Sequence, residues 1–193
     1  MDRDTELDLV SRLRTGDAEA FDIVYHSFNV RLFTFLARLM RSRERAEDLL
    51  EETWLRFVAH ADRLQPDTRL GPWLFTVARN LHASYWRSRL VEESCADALA
   101  LWPVASARSP FDETAGNELQ RRIEAALATL PVSYREVLLL VGVEGVDQSE
   151  AAAICGISGT AFRQRLKRAR DLLAERLEES ARPARGVLRE VNT

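Results

Sequence analysis

Apolar residues recur at helical spacing along almost the whole chain, and this periodicity limits the folds open to it. Between residues 18 and 40 one apolar stripe follows a repeat of three to four residues, which is typical of an amphipathic helix packed on a core. Similar repeats cover residues 5–14, 43–61, 73–89, 116–130 and 131–143. The chain has 8 glycines and 6 prolines, and the prolines cluster between the repeats. We therefore predict an all-α fold.

One segment, residues 91–115, has no sustained helical repeat and is rich in small and acidic residues. That composition is typical of a flexible linker. The sequence therefore predicts two small helical domains, residues 1–90 and 116–180, followed by a disordered tail over 181–193. Residues 92–113 carry five acidic residues and a single basic one, Arg108. We therefore expect the segment to repel itself and stay extended.

Composition argues against several functional classes. The formal net charge is −3 over 193 residues, so any nucleic-acid binding must come from local basic patches. Cys95 and Cys155 lack CxxC spacing and the three histidines are scattered, so we expect no metal site, no disulfide and a reducing, cytoplasmic setting. No apolar run could span a membrane, and the first residues lack a signal-peptide pattern. No phosphate-binding or catalytic motif is present, which favours a non-enzyme without a cofactor.

Residues 147–170 read as two short helices joined by a tight turn. Asp147 can cap the first helix, and Glu150 lies where it would complete a capping box. Gly156 is placed to end that helix, and Ser158 can cap the next one. This order of elements is typical of a helix-turn-helix that reads DNA.

The second of these helices has a basic side and an apolar side. No acid occurs from Ser158 to Arg170. Its basic residues are Arg163, Arg165, Lys167, Arg168 and Arg170, and its inward face is formed by Ala161, Phe162, Leu166 and Ala169. Two interpretations stay open on this pattern: a DNA-reading helix, which we favour, or a helical hairpin whose charged face is merely solvated.

The predicted helix over residues 43–61 carries a dense group of acids in its first half. They are Glu44, Glu47, Asp48, Glu51 and Glu52. Acids near a helix N-terminus are favourable, but acids four residues apart repel one another, so the group exceeds what the helix dipole requires. This indicates a surface for a basic partner.

The segment from Thr68 to Val91 has the opposite character, with four arginines, no acid and interleaved aromatic residues. Arginine for phosphates beside aromatic rings for unstacked bases is typical of single-stranded nucleic-acid binding. We expect Phe75 to belong to the core instead. For Trp73 both interpretations stay open.

Four pieces of the chain, in this order, resemble the extracytoplasmic-function sigma factors of bacterial RNA polymerase. Residues 46–57 resemble the helix that binds core polymerase, and 73–80 the helix that begins promoter opening. Residues 130–140 and 150–170 resemble the domain that reads the upstream promoter element. The resemblance implies a sigma region 2-like domain and a region 4-like helix-turn-helix domain.

The resemblance also implies a function and partners. Such a protein binds the β and β′ subunits of core RNA polymerase, recognises the −35 and −10 promoter elements, promotes DNA melting and is then released. Its partners would be core polymerase, promoter DNA in duplex and melted form, and an anti-sigma factor.

Motif matches to the family assign its binding sites to individual residues of this chain. For core polymerase binding they are Asp48, Leu49, Glu51, Glu52 and Trp54. For the −10 element and melting they are Gln65, Asp67, Thr68, Arg69, Gly71, Trp73, Arg79 and Asn80, with the loop 65–71 capturing a flipped base. For the −35 element they are Ser158, Arg163, Gln164, Arg165, Lys167 and Arg168.

Departures from the family pattern affect the −35 sequence that is read. Thr160, Ala161 and Phe162 replace the usual Gly-Thr-Val, while Gln164 stands where a serine is usual and Gln148 where an aromatic residue is usual.

Two alternative functions remain. A helix-turn-helix repressor or activator would explain 147–170 but neither the acidic helix nor the aromatic-basic segment. A catalytically dead helical adaptor or polymerase-binding inhibitor is the weaker rival.

Overall fold

The computed structural model describes residues 2–40, 42–93 and 118–181, and within them all regular structure is helical. This confirms the predicted all-α class. The helices are α1 (Arg3–Arg14), α2 (Ala18–Met40), α3 (Arg43–His60), α4 (Leu70–Glu93), α5 (Glu118–Thr129), α6 (Val132–Leu138), α7 (Gln148–Cys155) and α8 (Gly159–Ala181). A short 3₁₀ turn, Ala61–Arg63, follows α3, and a π-helical turn, Leu139–Val143, continues α6.

Helix ends lie where short polar residues and glycine permit them. The Asp17 carboxylate accepts hydrogen bonds from the backbone of Glu19 at 2.9 Å and Ala20 at 3.3 Å, which caps α2 as predicted. Gly16 has φ +80° and turns the chain between α1 and α2. Ser42 caps α3 through the backbone N–H of Arg45.

Helices α1, α3 and α4 pack around α2, whose buried face contacts both α3 and α4. Phe35 of α2 meets Phe75 of α4 edge to face, with ring centroids 5.3 Å apart, and both rings are buried. Phe75 is therefore a core residue, as predicted. Gly71 permits the close crossing of these helices, because a Cβ there would lie 3.3 Å from the Phe28 ring.

Helix α4 is longer at both ends than the sequence indicates. The helical repeat in the sequence begins only at residue 73, but the helix begins at Leu70. Residues 91–93 were expected to start the linker, but they continue the helix to Glu93. Pro72 lies in the first turn, where a missing N–H costs no helical hydrogen bond. The rest of the predicted linker and the tail from 182 lie outside the described residues, and so does the prediction that the linker is extended.

Helices α5 to α8 contain the predicted helix-turn-helix. Gly156 adopts φ +65° and ends α7, and Ser158 Oγ accepts a hydrogen bond of 3.2 Å from the Ala161 backbone and caps α8. Asp147 caps α7 through the Ser149 backbone N–H. The predicted capping box was wrong in one part, because the Glu150 carboxylate pairs with Arg69 in the turn before α4.

The two groups of helices share one hydrophobic core. Helix α7 packs against α4 and α6 against α2, and the buried residues of both groups form one continuous cluster. Arg135 of α6 is buried and donates a 2.7 Å hydrogen bond to the Arg38 carbonyl near the end of α2. Sequence patterns indicated two domains but gave no sign that they would be in contact.

Candidate nucleic-acid interface

The first half of α8 presents a basic face to solvent. Ser158, Arg163, Gln164, Lys167 and Arg168 are exposed, and Arg165 is half-buried. The opposite side of the helix is fixed in the core by Phe162, Leu166 and Ala169, all buried. Five of the six residues expected to read the −35 element therefore lie on one helix, and the sixth, Ser158, caps it. The buried side of the helix holds its exposed side in place.

The loop that precedes α4 is tied to α1 by two side chains. Glu6 is buried, and its carboxylate accepts a 2.8 Å hydrogen bond from the Leu70 backbone N–H at the start of α4. Arg3 pairs with the same carboxylate at 2.8 Å and donates to the Asp67 carbonyl at 2.7 Å. Sequence reasoning missed both residues. A carboxylate at position 6 on the apolar stripe of α1 was the available signal, because buried acids need a partner.

These contacts hold a short turn on the surface. The Thr68 backbone N–H donates to the Gln65 carbonyl at 3.0 Å. Gln65 and Asp67 are exposed, whereas Thr68 and Gly71 are half-buried. Polar side chains are therefore displayed on a turn whose backbone is fixed.

Trp73 lies beside this turn and is half-buried. Its ring contacts Phe57 at 5.6 Å and His60 at 6.2 Å between centroids. Part of the indole therefore belongs to the core and part remains accessible. The core interpretation of Trp73 therefore applies to one side of the ring, and the base-binding interpretation stays open for the other side.

Arg79 and Asn80 lie two turns further along α4. Asn80 is exposed, and Arg79 donates to its side-chain oxygen at 3.5 Å. Arg79 also pairs with Glu136 of α6 at 2.8 Å, while Arg69 pairs with Glu150 of α7. Two of the arginines expected to contact the −10 element are thus engaged by carboxylates of the C-terminal helices. Sequence reasoning missed Glu136, although a charged residue inside the apolar run of 132–141 was a signal.

Burial changes the acid-base chemistry of two groups near Arg79. Burial, with Arg135 and Arg79 nearby, lowers the pKa of His82 from 6.5 to about 4, and neutral His82 accepts a 3.1 Å hydrogen bond from Trp86. Burial first, then the Glu136 charge, raises the pKa of Cys155 to about 12. At neutral pH both groups are uncharged, so the positive charge of this region comes from its arginines.

The acidic half of α3 faces solvent. Asp48 and Glu51 are exposed, and neither has an ion pair within the part of the chain that the structure describes. Leu49 is half-buried, and Glu52 pairs with Arg56 at 2.8 Å.

Trp54 differs from the other residues expected to bind core polymerase. It is 7% exposed, and its Nε1 donates to Asn29 Oδ1 at 3.0 Å. Its buried position indicates that Trp54 supports the exposed acidic residues of α3 by packing beneath them in the core.

Two apolar residues on α3 extend this acidic surface and were missed by sequence reasoning. Leu55 is 58% exposed and Val58 is 57% exposed. The helical repeat over 43–61 predicts that Val58 is buried, and that prediction is wrong. Leu and Val in a helical repeat predict burial. The available signal of a mixed docking surface was their position one turn (Leu55) and two turns (Val58) past the acids at 51 and 52.

Within 2–40, 42–93 and 118–181, no group of His, Cys, Asp and Glu residues could hold a metal ion. None of the helices described there is long and apolar enough to cross a membrane.

Comparison with known proteins identifies the family. A model described as Sigma-70 region 2 matches residues 24–90, and one described as Sigma-70, region 4 matches residues 120–173. The ECF RNA polymerase sigma factor EcfG of Rhodopseudomonas palustris strain TIE-1 is 39% identical over 143 residues, which are 74% of this chain and 77% of that protein. The chain belongs to the ECF sigma factors of bacterial RNA polymerase.

Further similarities cover most of this sigma factor. The RNA polymerase sigma factor CarQ of Myxococcus xanthus is 34% identical over 171 residues, 88% of this chain and 96% of that one. The sigma factor RpoE of Bartonella quintana, solved in complex with the anti-sigma factor NepR, is 29% identical, with a TM-score of 0.71 over 86% of this chain and 100% of that chain.

Family membership settles the class of activity. An ECF sigma factor is a promoter-recognising transcription initiation factor, a regulatory protein and not an enzyme. The region 4 match covers the helix-turn-helix, and the region 2 match covers α3 and most of α4. A helix-turn-helix repressor would leave the second of these matches unexplained.

Proposed function

We propose that this sigma factor joins core RNA polymerase through the acidic surface of α3, reads the −35 element with α8 and captures bases of the −10 element beside α4. It promotes melting there and is released afterwards. One observation carries the proposal: the basic face of α8 and the acidic surface of α3 are both exposed, on different helices of one folded chain. Two partners of opposite charge can therefore be bound at once.

The −35 assignment rests on the form of α8. A helix whose apolar side is buried in a core offers the rest of its surface to a major groove. Arg163 and Arg168 are exposed on an acid-free stretch and can donate two hydrogen bonds to a guanine. Ser158, Gln164, Arg165 and Lys167 complete the surface with further donors.

The −10 assignment rests on the turn before α4 and the half-exposed Trp73. A base taken out of the duplex needs an aromatic face and polar groups for its edge. Gln65, Thr68 and Asn80 supply polar groups, and Trp73 supplies the ring. Asp67 and Gly71 shape the turn, while Arg69 and Arg79 would bind phosphates.

The polymerase assignment rests on Asp48, Glu51 and Glu52 together with Leu55 and Val58. Charged groups guide association, and exposed apolar side chains add area that is buried on binding. We infer that the partner surface on core polymerase is basic with an apolar centre.

We also propose an anti-sigma factor as a partner, with action beside polymerase in the cytoplasm. RpoE of Bartonella quintana, which shares this fold, was solved with such a factor. The support is the similarity of the two chains over 86% of this one.

Run-off transcription with bare core polymerase tests the proposal. Adding this sigma factor should produce starts at a defined promoter. Repression, or no change, would contradict it and favour the repressor or adaptor rivals.

Base capture has its own test in Asn80→Ala. This variant should initiate poorly on duplex promoters and nearly normally on templates with a pre-melted bubble, since each captured base is worth on the order of 1–3 kcal/mol. Equal defects on both templates would contradict a base-binding role. The neighbouring exposed Ser84→Ala on the same helix is the matched control.

A further inference from the structure

Arg3 and Glu6 lie three residues apart on α1, and each contacts a residue 64 positions later in the chain. The Glu6 carboxylate has a different partner on each oxygen. Oε1 accepts a 2.8 Å hydrogen bond from the Leu70 backbone N–H, and Oε2 accepts one of 2.8 Å from Arg3 Nη1. Arg3 Nη2 then donates to the Asp67 carbonyl at 2.7 Å. The two side chains therefore form a continuous set of hydrogen bonds that joins Asp67 to Leu70.

Both contacts to this segment are made to its backbone. Leu70 is buried, and its N–H belongs to the first turn of α4, where no carbonyl of the same helix can accept it. Glu6 supplies the acceptor that this buried donor requires. At Asp67 the contact is made to the carbonyl, and the residue as a whole is exposed. The path of the chain is thus fixed without use of the Asp67 carboxylate.

Helix α1 also supports the other end of the turn before α4. It packs against the 3₁₀ turn Ala61–Arg63, from which this segment starts. Between the two ends, the Thr68 backbone N–H donates to the Gln65 carbonyl at 3.0 Å. Residues 64–69 therefore run between two places that are both fixed by α1.

The aromatic ring that is proposed to stack on a captured base is held by other residues. Trp73 packs on Phe57 and His60 of α3. Stacking on a ring tolerates any base, because every base has a π-face. Recognition of a base edge instead depends on the distance and angle of each hydrogen bond. A change at α1 can therefore alter edge recognition while the stacking ring stays in place.

We propose that Arg3 and Glu6 are positioning residues for base discrimination at the −10 element. They hold the turn before α4 so that its polar groups meet the edge of the base stacked on Trp73. Both act through the backbone of the turn, and neither is assigned a contact with DNA or polymerase. The inference rests on the proposed function, because the turn discriminates between bases only if it captures one.

Two substitutions should release the same contact. Arg3→Ala removes the donor to the Asp67 carbonyl and leaves Glu6 bonded to Leu70. The Arg3 side chain is 42% exposed, so its loss leaves no enclosed cavity. Glu6→Gln keeps an oxygen for the Leu70 N–H, but its amide presents N–H donors to Arg3 in place of the second oxygen. Both variants should therefore free Asp67 while the start of α4 stays capped.

Run-off transcription with core polymerase measures the effect on four promoter duplexes that differ only in the base at one −10 position. The position used is the one where the unmodified chain shows the largest ratio of yields between the best and the poorest base. That ratio should fall about fivefold in Arg3→Ala and in Glu6→Gln, because one hydrogen bond is worth about that factor. The yield on the poorest base should stay unchanged. Combining the two substitutions should lower the ratio no further, since both release one contact.

Matched controls lie on the same helix. Asp4→Asn and Arg14→Ala make the same kinds of change at exposed residues of α1. Both should keep the base ratio of the unmodified chain.

Hydrogen exchange at the Leu70 amide, followed by NMR, tests the other contact without DNA. Glu6→Ala removes the acceptor and should speed exchange there about fivefold, the effect of one hydrogen bond. Glu6→Gln and Arg3→Ala should leave this rate unchanged. Unchanged exchange in Glu6→Ala would overturn the role of Glu6.

Each transcription result has a defined meaning. An unchanged base ratio in either Arg3→Ala or Glu6→Gln would overturn the proposal. A fall in yield shared equally by all four bases would overturn it too, because a merely structural role predicts that result. Circular dichroism melting identifies a variant that fails to fold, and if Glu6→Gln fails, the exposed Arg3→Ala decides. Starts without any base preference from the unmodified chain would overturn this inference, whereas the absence of promoter starts would contradict the proposed function itself.

Discussion

The basic face of α8 and the arginines at α4 carry the same residue type but differ in availability. On α8, Arg163 and Arg168 are exposed, and no acid lies between Ser158 and Arg170. At α4, Arg69 and Arg79 each pair with a glutamate from a distant part of the chain. Composition near an arginine therefore predicts its local environment, whereas its availability to DNA depends on what folds against it.

The largest effect on binding should come from the exposed basic face of α8. Arg163→Ala combined with Arg168→Ala should cost at least about 2 kcal/mol of promoter binding, or roughly thirtyfold, because a base-reading arginine is worth about 1–3 kcal/mol. The measurement is promoter affinity of the polymerase complex on duplex DNA with and without the −35 element.

Arg176→Ala, at the far end of the same helix and paired with Glu179, is the control for that double variant. It should leave affinity unchanged. If the double variant loses affinity equally on DNA with and without the −35 element, the two arginines bind phosphates and do not read bases.

One pH effect on stability should come from His82 of α4. The pKa of His82 is lowered to about 4, so between about pH 4 and 6.5 the unfolded chain binds more protons there than the folded one. The free energy of unfolding should therefore fall by about 3 kcal/mol as pH drops through that window. His82→Gln, which keeps an acceptor for Trp86, should remove the His82 contribution to this dependence in urea unfolding.

His26→Gln, at an exposed histidine, is the control and should retain the slope. Glu144 acts in the opposite direction, because burial raises its pKa, and it is common to all the variants. Identical pH profiles for unmodified protein and His82→Gln would contradict the assigned burial of a neutral imidazole.

A smaller effect, on core polymerase binding, is expected from the acidic surface of α3. Its charge is opposite to that of the arginines on α8 and at α4. Asp48→Lys with Glu51→Lys should weaken core polymerase binding by about 1–2 kcal/mol, since reversal replaces attraction by repulsion at exposed positions. Affinity measured by competition with unmodified protein, at two salt concentrations, reports this change.

The matched control reverses Glu175 and Glu178, two exposed acids at the same spacing on α8. It should leave core affinity unchanged. A large loss of thermal stability in Asp48→Lys with Glu51→Lys, with intact core affinity, would assign the acids an internal structural role.

The smallest effect concerns the cap that positions the exposed basic face of α8. Ser158→Ala removes the hydrogen bond from the Ala161 backbone N–H and should cost about 1 kcal/mol of stability in thermal or urea unfolding. Ser158→Asp keeps a capping oxygen and should keep the stability, while its charge weakens promoter binding. Equal destabilisation by both changes would contradict the capping role.

Local features of the fold were predictable from sequence because they depend on neighbouring residues. The caps at Asp17, Asp147 and Ser158 and the turn at Gly156 follow from side chains within three residues of the helix ends. The start of α4 was placed too late, because Pro72 in the sequence suggests a loop. It can equally lie in the first turn of a helix, and the choice depends on a partner for the helix N-terminus. That partner is Glu6, 64 residues away.

The candidate site was predictable to a different extent in its two parts. The exposed residues of α8 follow from helical periodicity around the buried Phe162. The partners of Arg79 and Arg69 lie 57 and 81 residues away, and no periodicity links positions that far apart. Ion pairs between such distant positions become visible only once the helices are placed together.

The shared apolar core and enclosed ion pairs between the two groups of helices give their association a temperature dependence. Burial of apolar surface weakens on cooling, and the cost of removing charged groups from water falls on warming. Both contributions favour the packed arrangement at higher temperature, and separation exposes apolar surface with a positive change in heat capacity. Cooling should therefore weaken the packing of the two groups of helices against each other.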